Sequence, residues 1–167
     1  MPIDDFAAWK EELLFTGRIV QDDDHSVSRE EAHRRFLRYV ELVEQADGSE
    51  GPKAVCALIR SMQMREDYGA YQSVYHAMAR FPEKEFLEVL VQELPNLIER
   101  QPDWAGDFLV GIANGQGGKW DYQIAMFNDA VASSSPSQRQ VIVNYVRSQE
   151  PSGWFKHRVG VLCPGLR

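Results

Sequence analysis

Carboxylates beside an imidazole are an obvious place to look for chemistry, and Asp22-Asp23-Asp24-His25 is such a run. Carboxylate oxygens suit hard cations and imidazole suits transition metals. Adjacent side chains diverge, however, and the run lacks the alternate-residue spacing and the turn glycine of a calcium loop. It reads as an acidic loop. The four histidines, His25, His33, His76 and His157, stand singly with no second ligand three or four residues away, so no zinc signature forms. Cys56 falls on the apolar side of an expected helix and Cys163 in an irregular tail, which suits neither for a nucleophile held in a rigid triad. The glycine-rich stretch Gly111-Ile112-Ala113-Asn114-Gly115-Gln116-Gly117-Gly118 follows a helix where a dinucleotide fingerprint must follow a strand, and it lacks the lysine and hydroxyl of a phosphate loop. It reads as a helix end and turn. Carboxylate pairs such as Glu30-Glu31 or Asp103 with Asp107 are common on exposed helix faces and imply acid–base work only inside a pocket. No catalytic, cofactor-binding or metal-ligating residue follows from these patterns, and the chain is expected not to be an enzyme.

Acids interleaved with aromatics are the remaining distinctive feature. Glu66-Asp67-Tyr68 with Tyr71, Asp103-Trp104 with Asp107, and Trp120-Asp121-Tyr122 each fall where an expected helix begins or a helical pair turns. Tyrosine and tryptophan are enriched at binding hot spots, and neighbouring carboxylates can pair with a partner's lysines or arginines. Glu66, Asp67, Tyr68, Tyr71, Asp103, Trp104, Asp107, Trp120 and Asp121 are therefore the candidate partner-binding residues. If successive helix starts line one edge of the molecule, these groups are neighbours. The ordinary explanation is that the tryptophans belong to the core and that the acids favour helix N-termini through the helix dipole.

The charge distribution points the same way. Residues 1–129 hold 24 acidic and 13 basic side chains, net −11, whereas residues 130–167 hold one acidic and five basic, net +4. Most of the chain should repel nucleic acid and attract a cationic partner. Arg34-Arg35 with Arg38, the densest basic group, is countered by Glu30, Glu31 and Glu41, as on a salt-bridged helix face.

The elements that must position these residues are helices throughout. A chain of 167 residues, 44% hydrophobic and 26% charged, suits one globular domain with its own core, expected over residues 1–167 with 150–167 as an irregular packed tail. No apolar run approaches a membrane span, and the start Met1-Pro2-Ile3-Asp4-Asp5 lacks a secretory pattern, so a cytoplasmic location is expected. The widely spaced Cys56 and Cys163 suit a reducing compartment.

Apolar positions recur at helical spacing along nearly the whole chain, and no stretch alternates as a half-buried strand does. Eight helices are predicted. The first runs from about Asp5 to Phe15 and is ended by Gly17; the second opens at Ser28 with a capping box to Glu31; the third starts at Pro52. The fourth spans about Asp67 to Arg80, the fifth Pro82 to about Arg100 with Pro95 kinking or dividing it, and the sixth runs from Pro102 to Asn114-Gly115. The seventh carries Trp120, Ile124, Phe127 and Val131, and the eighth opens at Ser135-Pro136-Ser137-Gln138. Trp154, Phe155, Val159 and Leu162 supply apolar surface for the tail to pack. From Pro52 the helices fall into antiparallel pairs at spacings near those of helical-pair repeats. The expectation is an all-α, short, irregular HEAT-like solenoid, with a compact helical bundle as the competing arrangement.

The helical pairs, the acidic balance and the segment Trp104-Ala105-Gly106-Asp107-Phe108-Leu109-Val110-Gly111-Ile112-Ala113-Asn114-Gly115 resemble the all-helical, HEAT-like immunity proteins of bacterial polymorphic-toxin and contact-dependent inhibition systems. The likeness covers residues 28–148 as a pattern and rests on residues only in that segment. It implies stoichiometric binding that blocks a cognate toxin domain, often a nuclease with a basic cleft, whose nucleic-acid backbone an acidic surface can replace. It assigns no residue a role. A helical-repeat scaffold or adaptor without inhibitory activity is the alternative from another class. Self-association is left open, and neither nucleic acid nor membrane is expected as a partner.

Overall fold

The computed structural model describes residues 3–153 and 155–166, so Trp154, assigned above to the packed tail, lies outside the described residues. Among the described residues all regular structure is helical: α1 (Phe6–Thr16), α2 (Arg29–Glu44), α3 (Pro52–Ser61), α4 (Gln72–Met78), α5 (Glu83–Arg100), α6 (Pro102–Ala113), α7 (Asp121–Ser133) and α8 (Pro136–Gln149). The expected all-α class is therefore the observed one, in a form consistent with either a solenoid or a bundle. The chain divides into two compact units, residues 1–86 and 87–167.

Local signals explain where most helices begin. The Asp5 carboxylate accepts from the amides of Ala7 and Ala8, both at 3.0 Å, and starts α1. Ser28 Oγ accepts from Glu31 N at 3.2 Å, but the reciprocal half of the expected box is replaced, because the Glu31 carboxylate turns to Arg34 and Arg35. Ser135 and Gln138 make the full box. Pro52, Pro102 and Pro136 each sit in a first turn, where the missing amide hydrogen costs nothing.

Two boundaries depart from the sequence pattern. The fourth helix starts five residues later than Asp67, at Gln72, because Tyr68 (φ 49°) and Gly69 (φ 88°) adopt left-handed backbone that a helix cannot include. Pro95 does not divide the fifth helix, which runs unbroken as α5 through it. Proline forfeits one backbone hydrogen bond there, and the burial of Leu87, Leu90, Leu94 and Leu97 along one stripe outweighs that loss.

In the first unit α1 lies against α2 and α3, and α2 against α4. Trp9, Leu13, Tyr39, Leu42, Leu58 and Ile59 are all buried in it. Trp9 Nε1 donates to Leu42 O at 2.9 Å, so the indole is both packed and satisfied. The Tyr71 hydroxyl joins three segments: it accepts from Gln63 N and Met64 N, each at 2.9 Å, and donates to Gly17 O at 2.7 Å. One side chain thus joins the end of α1, the strand-like exit from α3 and the start of α4. Tyr39 meets it edge to face at 5.7 Å and shares a 2.8 Å hydrogen bond with Ser61 Oγ. Gly17 has ordinary right-handed backbone (φ −65°), so its need for glycine is steric: a Cβ there would lie 2.4 Å from Ser61 O.

In the second unit α7 lies against α6 and α8, around buried Phe108, Leu109, Ile112, Phe127, Ile142 and Val146. The tail is packed as expected, with Phe155, Leu162 and Cys163 buried, although Val159 is exposed. Asn128 clips it to α7: its Oδ1 accepts from Cys163 N at 2.7 Å and its Nδ2 donates to Val161 O at 3.2 Å. Glu150 accepts from Gly160 N at 2.8 Å, and Arg147 donates to Leu166 O.

Removing the Tyr71 hydroxyl would leave two amides and a carbonyl without their partner, so Tyr71→Phe should lower stability by about 1–3 kcal/mol. Gly17→Ala should also destabilise, although alanine is the better helix former. Urea unfolding midpoints measure both, and a Tyr71→Phe change below about 0.5 kcal/mol, the size of an ordinary surface substitution, would show that the hydroxyl is not a junction.

Candidate functional site

The acid and aromatic residues divide between the two units. In the first, Asp67 Oδ2 accepts from Tyr71 N at 2.8 Å, which makes it a cap for the turn that precedes α4. Glu66 is exposed, and its backbone carbonyl accepts from Gln21 Nε2 at 2.9 Å. Tyr68 is half exposed with its hydroxyl accepting from Asp22 N at 3.2 Å. Tyr71 is fully buried, which corrects its assignment to a partner-binding surface: the ring completes the core and the hydroxyl is used three times over. This group stitches the loop after α1 to the loop before α4.

The Asp22-Asp23-Asp24-His25 run beside it is an exposed turn. Asp24 accepts from the Ser26 amide at 3.0 Å and from its hydroxyl, and these bonds hold its carboxyl below the usual range.

In the second unit, exposed Asp103 and half-buried Trp104 and Asp107 occupy the first turns of α6. Tyr145 of α8 reaches this turn: its hydroxyl donates to Pro102 O and would lie 3.2 Å from a Cβ on Gly106. Burial, followed by the charges of Asp103 and Asp107, pushes the Tyr145 phenol above its ordinary value.

Trp120, Asp121 and Tyr122 sit at the other end of α6. The 12 residues of α6 span about 18 Å, and the turn that follows brings Trp120 back to the helix's C-terminal end. There the Trp120 carbonyl lies where a Cβ on Gly115 would approach to 2.8 Å. The starts of α6 and α7 therefore do not share one edge. Antiparallel neighbours place alternate starts at opposite ends, and Asp103-Trp104 is separated from Trp120-Asp121 by the length of α6.

This second turn places two exposed aromatics side by side. Trp120 is 44% exposed and Tyr122 45%, with ring centroids 6.2 Å apart at 45°. The Lys119 ammonium sits 4.7 Å from the Trp120 ring centroid, a cation–π distance. Asp121 Oδ1 accepts from Gly117 N at 2.9 Å and so braces the glycine-rich turn. Lys119 and Tyr122 were absent from the candidate residues. The adjacency Lys119-Trp120 and the run Trp120-Asp121-Tyr122 were the available signals.

Among the described residues no three histidine, cysteine or acidic side chains are grouped as a metal would need, and no helix is long and apolar enough to cross a membrane. No family model matches the chain, nor does any curated protein or solved structure.

The two cysteines differ in environment. Cys56 is half-buried, whereas burial pushes the Cys163 thiol up from an ordinary value of 9.0 to about 11. The native protein then holds this proton when the unfolded chain has lost it, so the contribution of this thiol to stability falls as the pH rises from 9.0 towards 11. Alkylation at pH 8 should therefore spare Cys163 in the native protein, and Asn128→Ala, which unclips the tail, should raise its labelling rate at least tenfold. Peptide mass spectrometry reads the result, and equal labelling of Cys163 in both proteins would contradict the clip.

Proposed function

We propose that this chain is an immunity protein, which neutralises a cognate bacterial toxin domain by stoichiometric docking and transforms no substrate. The observation that carries the reading is the exposed Trp120–Tyr122 pair on a braced turn at the start of α7. Rigid aromatic side chains gain contact area at little entropic cost, and they dominate the energetics of protein interfaces. The surplus of acids over residues 1–129 supports a basic partner, such as a nuclease domain whose active-site cleft binds phosphates. In that arrangement the aromatics anchor the complex. The carboxylates occupy the place of the nucleic-acid backbone and accelerate encounter in the cytoplasm, where the toxin acts.

Asp103, Trp104, Asp107, Glu66, Asp67 and Tyr68 are secondary in this scheme, since several of them already serve the fold. A partner contact at Asp67, for example, would compete with the cap it provides to Tyr71 N.

Co-expression with the product of the adjacent gene tests the proposal. The two should copurify at equal stoichiometry, and the chain should rescue growth of cells making that product. Trp120→Ala with Tyr122→Ala should weaken the complex at least a hundredfold, the loss of two hot-spot side chains, while leaving the thermal midpoint within a few degrees. Copurification without growth rescue would favour a scaffold, and full affinity in the double variant would remove the α7 turn from the interface.

A further inference from the structure

The outward face of α2, beside its junction with α1, carries an open patch. A groove of about 450 Å³ runs there, lined by Phe15, Leu37 and the guanidiniums of Arg34, Arg35 and Arg38. Phe15 is 54% exposed and Leu37 47%, although Leu37 sits at the middle of the helix. One exposed apolar side chain is ordinary; two flanking a groove form a patch.

The charges around the patch have an order. Arg38 is held by Glu12 of α1 through two hydrogen bonds, Nε to Oε1 at 2.7 Å and Nη2 to Oε2 at 2.8 Å, and this pairing holds the Glu12 carboxyl below its usual range. Arg35 lies 4.9 Å from the Phe15 ring centroid and bonds Glu31. The outermost charges are Arg34 and Glu41, with side chains 77% and 64% exposed. Each has an intrachain partner, Glu31 and Arg38 respectively, that uses only part of its hydrogen-bonding capacity. Arg34 and Glu41 are seven residues apart, two turns on one face of α2, and Leu37 lies between them.

A face that reads cation, apolar, anion is complementary to its own reverse. When two copies of α2 cross antiparallel about a two-fold axis between positions 37 and 38, position 34 meets position 41 of the other copy at both ends of the contact. Leu37 of each copy then enters the groove beside the other's Phe15. Isologous interfaces are built in this way, with the same contact made twice.

We propose that α2 is a homodimer interface, with a second copy of this chain as its occupant, Leu37 at its centre and reciprocal Arg34–Glu41 pairs at its ends. It uses residues other than those of the α7 turn and goes beyond the proposed inhibition. The patch is small, so the dimer belongs to the weak, salt-sensitive class of interfaces.

Sedimentation equilibrium of the full chain at low salt, over about 10 μM to 1 mM, tests this in a range suited to such a small interface. The chain should dimerise, and Arg34→Glu or Glu41→Arg alone should weaken dimerisation at least tenfold, since each reversal places like charges together twice. The double variant, Arg34→Glu with Glu41→Arg, should return to within about threefold of the parent. Its intrachain clashes with Glu31 and Arg38 persist, so recovery would come from the second copy and not from repair of the helix. Circular dichroism establishes that each variant is folded, and Leu37→Ser, on an exposed position, provides a charge-neutral loss of dimer. A monomer at every concentration, a dimer indifferent to the single reversals, or a double variant as weak as the singles would overturn the proposal. None of these outcomes bears on capture of a toxin.

Discussion

A single phenolic oxygen holds the first unit in register. The Tyr71 hydroxyl bonds two amides in the segment that leaves α3 and the last carbonyl of the turn that ends α1, so three chain segments share one atom. Leaving those partly buried amides without this partner costs free energy, because donors withdrawn from water lose hydration with no return. The neighbouring features serve this junction: Tyr39 packs against its edge, Gly17 lets the backbone of α1 approach Ser61, and Asp67 fixes the amide of Tyr71 itself.

That constraint redistributes the residues that resemble an interaction surface. An aspartate before a helix and an aromatic inside it suit a hot spot, but they are equally what a helix start needs for capping and packing. Asp67 and Asp121 both accept backbone amides, and Tyr71 is core. Trp120 and Tyr122 remain exposed. At the α6–α7 turn, Gly115 permits the close return of the chain, Asp121 braces it, and Trp120 and Tyr122 point to solvent with Lys119 over the indole. A preorganised turn that displays aromatic side chains has the physical character of a docking element.

Helix identity was legible because its signals are local. Apolar spacing and the serine and proline starts placed eight helices nearly where they lie. The failures came where a distant partner decided the outcome. Nothing near Tyr68 announces its left-handed backbone. Pro95 signals a break that the buried leucines of α5 override. Gly17 does end α1 as expected, but the reason it must be glycine, a close approach to Ser61, lies 44 residues away along the chain. Asn128, which clips the tail from 35 positions away along the chain, is indistinguishable in sequence from any exposed helical asparagine. The candidate surface was half legible for the same reason. Residue types marked segments where helices begin, but the direction of each helix, which sets Asp103 and Trp120 at opposite ends of α6, is a property of packing.

The central claim is that docking occurs at the α7 turn while the Tyr71 junction stays closed. Amide hydrogen exchange, measured on the full chain with and without the product of the adjacent gene, addresses both halves at once. Slowed exchange over Gly115 to Ile124, with no change over Asp67 to Val74, is the expected result. Protection confined to other segments, or an unchanged α7 turn in a complex that demonstrably forms, would contradict the account.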